Sequence, residues 1–101
     1  MKKHKDVPHT FSGTSDEDVY VVPSDRTFYV TDIVLTNKEG SAVLFTIKHV
    51  TGTTTTLEVY VDANSTKHLK FTSPKMLVGA IKASVSAFSN GSSMSLQGYE
   101  D

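Results

Sequence analysis

The sequence predicts an all-β domain, a two-sheet antiparallel β-sandwich of jelly-roll type with about seven or eight strands behind a flexible N-terminal arm. Three observations predict it. Apolar residues recur with a period of two along most of the chain, which is the side-chain repeat of a strand. Turn chemistry built from Pro, Gly, Asn, Asp and Ser returns between these runs at the short spacing of a sandwich. No stretch carries the repeat of an amphipathic helix. An immunoglobulin-like sandwich is the competing topology; the lack of cysteine and tryptophan removes its clearest marker without excluding it.

Residues 1–17 are polar and broken by Pro8 and Gly13, and are expected to form a flexible arm. Lys2, Lys3, His4, Lys5 and His9 would be its partner-binding groups, although a frayed terminus is the plainer reading. The sandwich domain is then 18–101. Its first strand, Asp18 to Val22, closes at Pro23-Ser24-Asp25, ordinary turn chemistry. Arg26 to Asn37 is the densest run of aromatic and β-branched residues, with Phe28, Val30 and Val34 on one face and Tyr29, Ile33 and Leu35 on the other. Asp32 interrupts the first face, as a bulge or a polar contact at an interface, with a locally hydrogen-bonded structural carboxylate the favoured reading.

Ser41 to Thr51 is expected to pair with that strand as a hairpin, with Gly40 at positive φ in the turn. It too is apolar on both sides, through Val43, Phe45 and Ile47 and through Ala42, Leu44 and Thr46. Thr51-Gly52-Thr53 turns the chain into Thr54 to Asp62, where Leu57, Val59 and Val61 alternate with Glu58, Tyr60 and Asp62 and leave one face wet. Ser65 to Phe71 comes next, with Leu69 and Phe71 inward. Residues 72–78 carry no hairpin signal and read as a crossing connection, as a Greek key or jelly roll requires. In 79–88, Ile81, Ala83, Val85 and Ala87 point inward, and Asn90-Gly91 predicts a type I′ hairpin into the last strand, Ser92 to Glu100.

A chain of 101 residues fits one domain that buries roughly 60–70% of its unfolded surface. A net charge of −1 leaves no nucleic-acid footprint over the whole chain. Without cysteine, disulfides and thiolate chemistry are excluded. The basic head, Met1 to Lys5, is not followed by the apolar stretch of a signal peptide, and no segment approaches a membrane span; neither classical export nor a membrane is expected. Catalysis lacks its constellations. No Gly-x-Ser-x-Gly elbow occurs, the six glycines are dispersed, and His49 with His68, or His4 with His9, fall short of a metal ligand set, so solvated histidines are the expectation. No cofactor is expected. The threonines of 51–56 are favoured strand residues. Tyr60, on a wet face, and Tyr99 are candidate stacking platforms for a sugar.

Val22-Pro23-Ser24-Asp25-Arg26-Thr27-Phe28-Tyr29-Val30-Thr31-Asp32-Ile33-Val34-Leu35-Thr36-Asn37, together with the closing Ser95-Leu96-Gln97-Gly98-Tyr99-Glu100, resembles the small jelly-roll virion proteins, such as capsid decoration or tail proteins of bacterial and archaeal viruses. The resemblance covers roughly Tyr20 to Asp101. It implies a non-enzymatic structural protein in the virion, passing through the host cytoplasm during assembly. It also implies a trimer or larger ring that binds a capsid protein or a host-surface glycan. Two strands apolar on both faces point the same way, because apolar surface left outside marks an interface; Tyr29, Ile33, Leu35, Leu44 and Thr46 are its expected members. A carbohydrate-binding module is the alternative.

Overall fold

The structure is a computed structural model that describes residues 2–101. Eight strands and no helix make up its regular structure: β1 (Lys3–Thr10), β2 (Glu17–Val21), β3 (Phe28–Thr36), β4 (Val43–His49), β5 (Thr54–Val61), β6 (Thr66–Leu77), β7 (Ala80–Val85) and β8 (Ser93–Glu100). They form two four-stranded sheets, ordered β1-β8-β3-β6 and β2-β7-β4-β5, and every pairing is antiparallel. This interleaved order is the jelly roll, in which successive strands pass back and forth between the sheets. Only β4 and β5 are consecutive neighbours within one sheet.

The expected hairpins at Gly40 and Asn90-Gly91 are therefore not hairpins. β3 and β4 lie in opposite sheets, as do β7 and β8. Gly40 is not among the positive-φ residues, and at Asn90-Gly91 only Gly91 (φ 79°) is, whereas a type I′ turn needs both. A turn signal says that the chain reverses; whether the returning strand joins the same sheet or crosses the core is decided by packing. Here side chains hold the reversals. Asn37, 1% exposed, donates from Nδ2 to the carbonyls of Ser41, Val61 and Asp62, while its Oδ1 accepts the Glu39 amide. The Glu39 carboxylate accepts Ser89 Oγ at 2.5 Å and the Asn90 amide at 3.0 Å. One polar hub thus ties together three crossover loops at the same end of the sandwich.

Residues 3–10, read as an arm, form a strand paired with β8 from Lys3 opposite Glu100 to Thr10 opposite Ser93. Its side chains alternate, with Lys5, Val7, His9 and then Phe11 turned inward. Prolines and charges hid that alternation in the sequence.

The two-faced reading of β3 also changes. The register shifts between Val30 and Asp32 against both β6 and β8, so Thr31 is an extra residue that flips the parity of the strand beyond it. Phe28, Val30, Ile33 and Leu35 consequently all face the core, each at most 1% exposed. Opposite the bulge, β8 comes so close that a Cβ on Gly98 would stand 1.9 Å from the Tyr29 carbonyl oxygen. The core is completed by Phe11, Val22, Val43, Phe45, Ile47, Val61, Leu77, Ile81, Ala83, Val85, Met94 and Leu96.

Candidate functional site

The strand register sets out the outer face of the β1-β8-β3-β6 sheet as cross-strand rows. At one end lies a hydroxyl row of Thr10, Ser93, Thr36 and Thr66, followed by Pro8, Ser95, Val34 and His68, then Asp6, Gln97, Asp32 and Lys70. Over the first two rows the small side chains leave a shallow depression of about 210 Å³, lined by Pro8, His9, Thr10, Val34, Thr36, Ser93, Met94 and Ser95. Asp32, the interrupting residue of β3, accepts a 2.8 Å bond from His68 Nε2. That bond, helped by Thr31, holds its carboxyl below the usual range. The bulge and the local hydrogen bond expected there are both present.

The fourth row is His4, Tyr99, Tyr29 and Met76. Tyr29 and Tyr99 are stacked, with centroids 5.0 Å apart and planes 15° from parallel, and Lys2 Nζ lies over the Tyr99 ring at 4.8 Å. This arrangement joins residues to which the sequence alone assigned three different roles. It also corrects one of them: with Tyr29 on it and Lys2 over it, the Tyr99 ring is not an open platform for a sugar.

Around the same end, from Met76 of this row onward, are four of the large exposed apolar residues: Met76 at 63%, Val78 at 39%, Val50 at 41% and Val21 at 64%. The Val50 amide donates to the Val78 carbonyl, and the Val22 amide to that of Gly79, so the β4–β5 turn, the β6–β7 connection and the end of β2 adjoin. Val50 holds φ 54° and Thr51 φ 55°, a region that β-branched side chains rarely adopt. Strained backbone of this kind persists only where its surroundings over-determine it. Gly79 beside it is tightly packed at φ 69°: a Cβ there would lie 3.2 Å from Val50 Cα and 3.3 Å from Thr51 N, so the strained turn would have to give by a few tenths of an ångström.

The expected interface residues do not form one patch. Ile33 (1% exposed) and Leu35 (0%) are core, a consequence of the Thr31 bulge. Tyr29 is on the outer face of one sheet, while Leu44 and Thr46, half-buried, alternate with core residues of β4 in the other. Tyr60 lies opposite Leu44 and is 63% exposed, so it keeps the open position expected of it. His49 and His68 fall in opposite sheets, and among the described residues no group of three or more His, Asp or Glu is placed to hold a metal.

Two polar clusters under β1 escape a reading of the sequence. His9 Nε2 meets Glu17 Oε1 at 2.9 Å, and Ser12 donates its amide and hydroxyl to Glu17 Oε2. Burial raises the Glu17 pKa, but the Ser12 and His9 contacts outweigh it and the net shift is downward. Further along, buried Glu100 accepts Tyr20 Oη and has Lys5 Nζ 3.8 Å away, with Lys5 over the Tyr20 ring. Burial, then the bond to and charge of Glu100, push the Tyr20 hydroxyl up to about 12. The parity of β8, with Met94, Leu96, Gly98 and Glu100 on one side, was a legible signal that Glu100 faces in. No protein-family model matches the sequence, and no curated protein matches it.

Proposed function

We propose that the protein is a non-enzymatic structural protein that self-associates and contributes to a virion, as a decoration or attachment module. The observation that carries the self-associating part is that Met76, Val78, Val50 and Val21 are all exposed at one end of the sandwich, where the Val50 and Val78 backbones are hydrogen-bonded, since apolar surface gathered outside the core marks an interaction site. The virion part rests on the resemblance, and the jelly-roll strand order agrees with the fold that the resemblance implies. Its two quoted segments are also neighbours in space: β3 and β8 pair along their length at the centre of one sheet.

Light scattering across a dilution series tests this. A stable oligomer that dissociates in Met76→Lys/Val78→Lys, with the thermal midpoint unchanged, is the expected result. A monomer at every concentration overturns the reading. Exposed Tyr60 supports one second reading, a sugar-binding module, for which Tyr60→Ala would abolish glycan-array binding while the chain stays monomeric.

A further inference from the structure

The seat of β1 differs from that of every other strand. It is joined to the other seven strands through 11–16, the crossing to the second sheet, and it pairs with β8 alone. Of its inward residues only Val7 is aliphatic; Lys5 and His9 each meet a carboxylate, Glu100 of β8 and Glu17 of β2. Without β1, buried Glu100 would lose its cation, and Phe11 would leave its edge-to-face contact with Phe45, 5.8 Å between centroids. The slot between β8 and β2 therefore demands an occupant, and its two carboxylates with the core edge between them match the pattern Lys-x-Val-x-His of residues 5–9.

We propose that β1 is an exchangeable strand: this slot accepts residues 3–11 from a second copy of the chain, giving a strand-exchanged dimer. The proposal rests on the self-associating reading above and names a partner and a route for it. Exchange reproduces all eight register positions with β8, the Lys5–Glu100 pair and the His9–Glu17 bond between chains, so it needs no new surface. The contacts at the hinge that exchange puts at stake are the Ser12–Glu17 bonds and the Lys48–Asp16 ion pair. The hinge, Ser12-Gly13-Thr14-Ser15-Asp16, is rich in small residues, and Gly13 has nothing within 4 Å of where a Cβ would stand.

The chain has no cysteine, which permits a direct test. Asp6 lies opposite Gln97. The Phe11 amide donates to the Ser92 carbonyl, and counting back from that bonded pair places 6 and 97 at a non-bonded pair, whose Cα separation of about 4.5 Å suits a disulfide. The full-length Asp6→Cys/Gln97→Cys variant is oxidised after folding and run without reductant, with single-cysteine controls for background. Exchange predicts that most cross-linked product has twice the chain mass, and that deleting Gly13–Ser15 raises the remainder to near completion. Cross-linking within single chains only, in both variants, overturns it. Light scattering on the same samples separates the two readings: an oligomer with intrachain bonds removes exchange alone, and a monomer removes the assembly reading as well. Thr10→Cys/Ser93→Cys, a second opposed pair, gives the same discrimination should the first variant fail to fold.

Discussion

At the scale of single residues, the firmest constraints lie where a backbone or a polar atom has no freedom. Gly98 is one. Its missing Cβ is what lets β8 pass the Thr31 bulge, and the obstacle is main chain, so neither partner yields by a rotamer change. Gly98→Ala should destabilise by about 3 kcal/mol or more, the upper range for overpacking, measured as a lower denaturant midpoint. Thr56 is the opposite case. It is the extra residue of the β5 bulge, and its buried hydroxyl has no hydrogen-bond partner among the described residues. An unsatisfied buried hydroxyl costs about 1–3 kcal/mol, and Thr56→Val keeps the shape while removing it; the same measurement should show stabilisation. Tyr20 fixes a pH dependence. Its hydroxyl ionises at 10 when unfolded and at about 12 in the fold. Its contribution is therefore complete below pH 10 and is lost as pH rises toward 12. Urea midpoints taken across that window should fall for the wild type and flatten in Tyr20→Phe. If both slope alike, Tyr20 does not govern alkaline stability.

Among the elements, β3 shows how one residue redistributes a strand. Had the period of two run unbroken from Phe28 to Leu35, an apolar face would point outward; the extra Thr31 returns Ile33 and Leu35 to the core. Leu35→Ala should consequently destabilise the domain by about 2–5 kcal/mol without a dissociation step, whereas Leu44→Ala, on an outer face, should cost far less. A denaturation series on both checks this, and equal losses would mean that the outer face of β4 is also core. Seven of the strands were legible because alternation is local; β1 was not, since prolines and charges hide its alternation, and 72–77, expected as a crossing connection, instead continue β6 to Leu77. The strands' partners were not legible, because Gly40 and Asn90-Gly91 encode a reversal and not a sheet, and no local pattern reports the Asn37 and Glu39 side chains that hold the crossings. Of the candidate site, the exposure of Tyr60 could be read from its strand, but the Tyr29–Tyr99 stack required knowing that β3 and β8 are neighbours. All four sheet edges carry an irregularity: Pro8 in β1, the register shift after Asp18 in β2, Thr56 in β5, and in β6 four residues, Phe71 to Pro74, opposite the single Thr31. By the register of β1, Pro8 turns its missing N–H to the free edge. Such devices prevent edge-to-edge association, which leaves faces, the rim or strand exchange as routes to assembly.

At the scale of the whole molecule, the topology places nearly every pairing between residues distant in sequence, β4–β5 excepted, and non-local pairing folds slowly because loop closure comes before the contacts that reward it. The extreme case is β1 with β8, where Lys3 faces Glu100. The same fact sets residues 3 and 100 side by side, so a short glycine linker can join 101 to 1 and new ends can be opened between Gly13 and Thr14. In that permutant β1 comes directly after β8 as a hairpin. Replacing a closure of roughly 90 residues by one of about five lowers its entropic cost by about 2.5 kcal/mol, from the logarithmic dependence on loop length. If the β1–β8 pairing forms in the folding transition state, refolding should accelerate by an order of magnitude or more; an unchanged rate with slower unfolding would place that pairing after the barrier. The permutant also separates the routes to assembly. With β1 tethered directly to β8 the hinge no longer exists, so a dimer made by exchange should become a monomer at all concentrations, while an oligomer held by the rim of Met76, Val78, Val50 and Val21 should keep its mass.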